Sequence, residues 1–368
     1  MTQAHRFRSQ QGLSLVELMI ALMISTFMML GVFEIYLGSG STDRLAHAFA
    51  RVQENGRLSM DILTRNLRMT GYQGCIDPEL VDMNIIANSP PTTDLTNLSI
   101  RGWKSGDSAW DVANRPDELD FITGVPTGSD IVSIQYVSPT GVEVLCQGNI
   151  QTCQAVNANV KIDSNSIGLT QFDVVVISDC VNADLFRITN MLKDTDDFVT
   201  LAHSSSTNTS NNLSKAYDED AQVMTYRSFS YYVRDTGRDN SQGESIYALY
   251  QFNPLWNDGS SQIGRESELI EGVEQLQILY GQRRDDGNLR FVDATDGNLV
   301  FSQVEALRLA VLVSHSEPVL SDADDKTYKM LGSDVEPQGA TTPDAEHPGD
   351  RRLRKLFTTT IYLRNRAS

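Results

Sequence analysis

Residues 12–37 read GLSLVELMIALMISTFMMLGVFEIYL, and this stretch decides the interpretation of the chain. The sixteen residues from Leu18 to Phe33 carry no charge. As a helix, the 21 residues from Leu13 to Phe33 would span roughly 31 Å, about the thickness of one bilayer core. The sequence therefore predicts one membrane-spanning helix with a single carboxylate, Glu17, near its start.

The residues before this helix predict its orientation. Arg6 and Arg8 lie in the first twelve residues, which contain no acid. Basic residues favour the cytoplasmic side, so the N-terminus is expected inside and the chain after Leu37 outside. A secretory signal peptide would end in a small-residue cleavage site beyond the apolar run. Here the better cleavage signature lies before the run, at Gly12-Leu13.

This arrangement resembles the prepilin leader of type IV pilins and type II secretion pseudopilins. The resemblance implies that a membrane aspartyl peptidase cuts between Gly12 and Leu13 on the cytoplasmic side, and that the new amine of Leu13 is methylated. It also implies an assembly role for Glu17, which would pair with the N-terminal amine of a neighbouring subunit. One departure is Leu13 itself, because many family members have Phe at the first mature position.

A carboxylate at position 17 also has a purely physical interpretation. Deep in hydrocarbon it would cost about 2.5 to 3.5 kcal/mol on insertion scales. In the first turn of a helix it gains roughly 0.3 to 1 kcal/mol from the macrodipole. The alternative to a pilin is therefore a signal-anchor helix whose interfacial Glu17 reaches toward the headgroups.

The helical pattern continues beyond the membrane segment. No proline occurs between Leu13 and Asp77, and apolar residues recur mostly at spacings of three and four, which predicts an amphipathic helix. Glycines at 71 and 74 predict its end, and the sequence GSGS at 38–41 predicts a weak point. The apolar residues are Leu45, Phe49, Val52, Ile62, Leu63 and Leu67.

The rest of the chain reads as a β-rich exported domain. Segments rich in β-branched and aromatic residues alternate with turn residues. The predicted fold is α+β and pilin-like: a long N-terminal helix packed on an antiparallel β-sheet-rich globular domain with large insertions. The candidate strands are Leu119–Thr123, Ile131–Val137, Phe172–Ser178, Leu185–Thr189, Val223–Arg234, Ile246–Phe252, Leu269–Tyr280, Ala306–Ser314 and Leu356–Leu363.

Turn and loop patterns divide this domain further. Asp286-Gly287-Asn288 and Asp296-Gly297-Asn298 predict two successive tight turns in a hairpin meander. The segments 306–313 and 355–361 are expected to pair as antiparallel neighbours. Residues 203–214 and 332–350 are predicted to be surface loops. The predicted organisation is a leader at 1–12, a membrane helix at 13–37, its amphipathic continuation at 38–74 and a globular region at 75–368, with one lobe or two left open.

Four cysteines follow the membrane segment, in a compartment where disulfides persist. Four cysteines allow three connectivities. The short Gly- and Asn-containing stretch between Cys146 and Cys153 favours that pair, and with it Cys75–Cys180. The spacings lack the short Cys-x-x-Cys pairs of zinc sites, so structural bridges are preferred to metal ligands.

Composition argues against other functions. The net charge is −18, and loss of the leader would make it more negative, which disfavours nonspecific nucleic-acid binding. The acidic runs 194–197 and 322–325 lack the twelve-residue calcium-loop pattern and are predicted to be solvated turns. Catalytic and cofactor motifs are missing from the sequence. His315, just after a predicted strand, could partner a serine or an acid, but a structural histidine at a strand end is the commoner case. We therefore predict neither an enzyme nor a cofactor or metal site.

Within the pilin superfamily the chain resembles the minor pilins of the PilW family. The resemblance is carried by residues 57–75 at the helix exit, by SDC at 178–180 followed by ADLF, by EGVEQLQILYG at 271–281 and by KLFTTTI at 355–361. It implies priming of type IV pilus assembly, a place in the tip complex, and a contribution to twitching motility and adhesion. It also implies an inner-membrane location with the C-terminal domain in the periplasm, and later in the fibre or its tip.

The implied partners are other minor pilins, the major pilin, a large tip adhesin, the prepilin peptidase, the inner-membrane assembly platform and the membrane itself. Two alternatives stay open. One is a J-type pseudopilin of type II secretion, which has the same leader but usually a smaller globular part. The other is a membrane-anchored adhesin or binding protein that does not polymerise.

Overall fold

A computed structural model describes residues 14–77, 81–88, 98–105, 119, 121–145, 159–193, 198–259, 263–339 and 345–365. Helix α1 runs from Leu15 to Leu67 without interruption. The glycines at 38 and 40 do not break it. The hydroxyls of Ser41 and Thr42 each donate to the Gly38 carbonyl at 2.9 Å, so the predicted weak point is fully helical. After Leu67 the chain turns, and Gly71 and Gly74 adopt positive φ.

The chain divides into two compact units, residues 1–50 and 51–368. The described part of the first unit is the N-terminal portion of α1. The second unit contains the end of α1 and all the strands described. The globular unit is therefore one lobe that begins within the helix.

The larger sheet of the second unit has eight strands among the described residues, in the order β1-β6-β5-β9-β10-β11, with β3 pairing β9 and β2 pairing β3. All its pairs are antiparallel except β1 with β6. Its strands are β1 (Asn84–Ile85), β2 (Ile100–Lys104), β3 (Asp130–Glu143), β5 (Val174–Ser178), β6 (Ala183–Arg187), β9 (Gln222–Asp239), β10 (Ser245–Asn257) and β11 (Ile263–Glu271).

A second sheet has four antiparallel strands in the order β13-β12-β14-β18. They are β12 (Val273–Arg283), β13 (Leu289–Val292), β14 (Val304–Ser314) and β18 (Arg354–Tyr362). Strands β14 and β18 pair in unbroken register from Ala306–Tyr362 to Ser314–Arg354, which confirms the predicted pairing. The first predicted turn joins β12 to β13. The meander is wrong, because β14 pairs with β12 and not with β13.

Two three-stranded sheets complete the described strands. One contains β4 (Val160–Ile162), β7 (Asn190–Lys193) and β8 (Val199–Ala202). The other contains β15 (Tyr328–Met330), β16 (Ser333–Pro337) and β17 (Ala345–His347). The prediction of a loop over 332–350 is therefore wrong, because Val335 and Ala345 are buried and pair as neighbouring strands.

Two strand predictions also fail. Leu119 and Ile122 are buried, but no strand is described between residues 119 and 123, so burial and not β-pairing explains their apolar character. The predicted strand Leu269–Tyr280 is the end of β11 and the start of β12. Gly272 separates them with a φ of 86°, and a Cβ there would lie 2.4 Å from the Ser314 carbonyl oxygen. Only glycine fits this bend.

The main core of the second unit joins the end of α1 to both large sheets. Val52, Leu63 and Leu67 are buried in it. Gly56 lies on the same face of the helix, and a Cβ there would overlap the Phe357 ring of β18. Gly56 thus lets the helix approach the sheet closely. This architecture confirms the predicted α+β class, a long N-terminal helix with antiparallel sheets.

Candidate assembly site

The first turn of α1 is closed by a reciprocal pair of hydrogen bonds. Ser14 immediately precedes the helix, and its Oγ accepts from the backbone N–H of Val16 at 3.2 Å. The Glu17 carboxylate accepts from the backbone N–H of Ser14 at 3.0 Å. This is the capping-box arrangement, in which two unsatisfied N–H groups of a helix start each gain an acceptor. Glu17 therefore has a structural partner within its own chain.

The apolar face around this turn is open. Among the described residues, α1 is the one helix with an apolar stretch long enough to span a membrane. None of the residues in that stretch is buried. Met19, Phe27 and Phe33 are each more than half exposed. The Ser25 and Thr26 hydroxyls donate to the carbonyls four residues earlier, so they add little polarity to the surface. A continuous exposed apolar surface of this kind usually marks a contact with lipid or with another protein.

The two cleavage-site residues, Gly12 and Leu13, lie outside the described residues. The cut between them and the methylation of Leu13 therefore stay predictions. The described residues begin one position later, and they place the Glu17 carboxylate at the end of the chain where the new amine would arise.

A disulfide joins the helix exit to the larger sheet. Cys75 and Cys180 are bonded, with their Cα atoms 5.1 Å apart and 105 positions apart in sequence. Cys180 lies in the turn between β5 and β6, where its N–H is bonded to the Ser178 hydroxyl. This is one of the two pairs that the sequence favours. Cys146 and Cys153 lie outside the described residues, so their pairing stays a prediction.

We expect the double variant Cys75→Ala/Cys180→Ala to lose about 2–4 kcal/mol of unfolding free energy, because a bridge across a long loop restricts the unfolded chain strongly. Urea unfolding of the oxidised full-length protein in detergent measures this loss. The control is Cys146→Ala/Cys153→Ala, which would open a much shorter loop and should cost less. Equal losses in the two variants would contradict the interpretation.

A buried cluster of charged side chains holds the insertion between β14 and β18, residues 315–353, against the second sheet. Arg354 is fully buried and contacts three carboxylates: Glu274 at 2.6 Å, Asp350 at 2.7 Å and Asp324 at 3.3 Å. Arg352 binds Asp350 through Nε at 2.5 Å. Burial opposes the charge on Arg354, yet Glu274 and Asp350 raise its pKa above the usual value. The cluster joins β12, the insertion and the start of β18.

This cluster corrects one prediction about acidic turns. Asp324 was expected in a solvated turn, but it is buried, and Asp324 Oδ2 accepts from the Tyr328 hydroxyl at 2.7 Å as well as contacting Arg354. Its charge is neutralised within the chain. The run 194–197 lies outside the described residues.

The histidines of the globular unit have local structural contacts. His315 Nδ1 accepts from the backbone N–H of Glu317 at 3.1 Å. His347 Nε2 lies 2.8 Å from the Lys326 carbonyl oxygen. Among the described residues, no group of three or more His, Cys, Asp or Glu side chains has metal-binding geometry.

Two features of these sites were not predicted from the sequence. The capping box had a readable signal, because Ser14 and Glu17 have the S-x-x-E spacing just before an apolar run. The charge cluster had little local signal, since its members lie between positions 274 and 354. The alternation of Arg352 and Arg354 just ahead of an apolar strand was the one visible hint.

Comparison with known proteins covers both ends of the chain. Residues 230–365 match the family model for the type IV pilus-assembly protein W, PilW. Residues 7–33 match the prokaryotic N-terminal methylation motif. Among solved structures, the chain is similar to a type IV-like pilin, TTHA1219 from Thermus thermophilus, with 14% identity, over 86% of this chain and 99% of that one, at a TM-score of 0.33. No curated protein sequence matches.

Proposed function

We propose that this chain, a type IV pilin-like protein with a PilW domain and a prepilin methylation motif, is a minor pilin that helps to prime pilus assembly and belongs to the tip complex. The observation that carries the proposal is the exposed apolar surface of α1 beside a capped helix start with an acidic residue. A helix of this kind anchors the chain in a membrane, and in a pilus it packs against the helices of other subunits.

In this proposal the peptidase cuts after Gly12 and the helix stays in the mature protein. Before assembly, the globular unit is in the periplasm and α1 crosses the inner membrane once. The amine created at Leu13 and the Glu17 carboxylate of a neighbouring subunit attract each other in a low-dielectric setting, where a charge pair is worth more than in water. The proposed partners are the other minor pilins, the major pilin, the tip adhesin, the peptidase and the assembly platform. The proposed role is non-enzymatic.

Mass spectrometry of the mature N-terminus tests this proposal. We expect the protein from its native membrane to begin at N-methylated Leu13. The control is a Gly12→Val variant, which should keep the leader because the peptidase requires a small residue before the cut. An intact leader with Arg6 and Arg8 in the unaltered protein would contradict the proposal and favour a membrane-anchored protein that does not polymerise.

Deletion of this protein distinguishes a role in the pilus from a role in type II secretion. We expect loss of this chain to reduce surface pili and leave type II secretion unchanged. The reverse result would indicate a J-type pseudopilin.

A further inference from the structure

The outer edge of β18 is an open edge of the four-stranded sheet. In the described part of the chain, β18 pairs with β14 on one side and ends the strand order on the other. The Leu363 N–H donates to the Glu305 carbonyl, and the His315 N–H donates to the Leu353 carbonyl. In an antiparallel pair the bonded residues alternate, so the odd-numbered residues of β18 face β14. The backbone groups of the even-numbered residues point outward.

These outward backbone groups have no partner among the described residues. The outward residues are Leu356, Thr358, Thr360 and Tyr362, and no hydrogen bond from their N–H or C=O groups is found within the described chain. Thr358, Thr360 and Tyr362 are exposed, Tyr362 by 62%. The edge is thus a row of available donors and acceptors at the surface.

This edge lacks the protection that the other edges have. Natural proteins shield edge strands with charges, bulges, proline or short length. Strand β11 has Arg265, Glu266, Glu268 and Glu271 and shifts register along β10. Strands β13 and β1 have four and two residues, and β2 has five, including Arg101 and Lys104.

By contrast, the segment from Leu356 to Leu363 has no charge and no proline, and its register along β14 is unbroken. Its three consecutive threonines are strong β-formers. An edge that is uncharged from Leu356 onward and pairs in unbroken register is a site for pairing with another chain, which adds a strand through main-chain hydrogen bonds.

The basic residues that flank β18 indicate which kind of strand would pair with its outer edge. From Arg351 to Arg366 there are six basic residues and no acid, in a chain whose net charge is −18. Arg352 and Arg354 are neutralised in the buried cluster, but Arg351 and Arg364, one at each end of the strand, are exposed. A second copy of β18 would bring the same basic ends together, and like charges across a pair are unfavourable.

We propose that the outer edge of β18 accepts one β-strand from a different protein, an uncharged strand flanked by acidic residues. Its backbone pairs with Leu356, Thr358, Thr360 and Tyr362, and its acidic flanks lie beside Arg351 and Arg364. This interface is separate from Glu17 and does not depend on the role proposed for α1.

Site-specific photo-crosslinking in the native cell tests the proposal. A photoreactive phenylalanine replaces Tyr362 in the full-length chain, and the crosslinked residue of the partner is identified by mass spectrometry. The control position is Val181, which is 70% exposed in a turn. We expect Tyr362 to crosslink to a β-strand flanked by Asp or Glu in another protein. A crosslink to a second copy of this chain, to a helix, or no more product than at Val181 would overturn the proposal.

A matched pair of substitutions tests whether the backbone carries the contact. Thr358→Pro removes an outward N–H without breaking a bond to β14, and proline is tolerated at such edge positions. We expect it to reduce the crosslink roughly tenfold, the equivalent of one or two lost hydrogen bonds. Thr358→Val keeps the N–H and the branched shape and should crosslink normally. Equal yields from the two variants would overturn the proposal.

Hydrogen exchange shows whether the edge is open even if the proline variant fails to fold. In the purified unaltered protein, the amides of Thr358 and Thr360 should exchange about 100-fold faster than those of Thr359 and Ile361, which are bonded to β14. Equal protection of all four amides would mean that the chain covers its own edge, and the proposal would fail.

Discussion

Arg354→Met is expected to destabilise the globular unit by about 3–5 kcal/mol, because it leaves Glu274, Asp350 and Asp324 buried with Arg352 as their remaining basic neighbour. Glu274 and Asp350 are 2% and 3% exposed and contact Arg354 directly. Methionine fills similar space but supplies no positive charge. Urea unfolding of the full-length protein in detergent, followed by tryptophan fluorescence, measures the difference.

Two further arginine variants sharpen this test. Arg364→Met removes an exposed arginine near the same strand and should change stability by less than about 0.5 kcal/mol. Arg354→Lys keeps the charge but loses the planar fork that reaches three carboxylates, so an intermediate loss is expected. A loss below about 1 kcal/mol in Arg354→Met would mean that water or protonation compensates the acids, and the cluster would not fasten the insertion.

Glu17→Ala is expected to abolish most recruitment into pilus complexes while leaving membrane insertion intact. Two roles for Glu17 compete, since its carboxylate closes the capping box in its own chain and is also proposed to attract a neighbour's amine. Loss of a cap costs about 0.5–2 kcal/mol of helix stability. Loss of a charge pair in a low-dielectric setting removes the attraction that orients one subunit on the next.

Glu17→Gln separates these roles. Glutamine can replace glutamate in a capping box, so its amide oxygen can still accept from the Ser14 N–H, but it has no charge for an amine. If the charge pair with a neighbouring amine dominates, Glu17→Gln should lose recruitment into pilus complexes as Glu17→Ala does. Ser14→Ala loses the other hydrogen bond of the capping box but keeps the charge, so it should assemble nearly normally. Co-purification with other pilins and counts of surface fibres measure recruitment. Normal assembly of Glu17→Gln would contradict the pairing role.

Local patterns predicted the elements whose signals are local. The uncharged run from Leu18 and the spacing of Val52, Leu63 and Leu67 predicted a helix, and α1 contains all of them. The pairing of β14 with β18 followed from two long β-forming segments with a polar insertion between them. The functional role predicted for Glu17 follows from its position, because an acid in an apolar run is costly unless it lies at an interface or has a partner.

The failures concern information that is not local. The insertion 332–350 looks like a loop because its residues are polar, yet β16 and β17 are held there by contacts with Ala310 and Leu312, far away in sequence. Gly272 breaks an apparently continuous strand because the Ser314 carbonyl occupies the space of a side chain. Asp324 is buried because Arg354 neutralises it. Each needs a partner that the local sequence does not contain.

The disulfide between Cys75 and Cys180 has a mechanical consequence. Tension that enters the globular unit from α1 reaches Cys75 a few residues after the helix ends, and the covalent bridge passes it directly to Cys180. The segment between the two cysteines, which contains β1 to β5, is therefore shielded from the load. Full extension of the chain across this sequence separation of 105 would otherwise release at most roughly 380 Å. The oxidised protein is therefore expected to extend less under tension than the reduced protein, by the length of this segment.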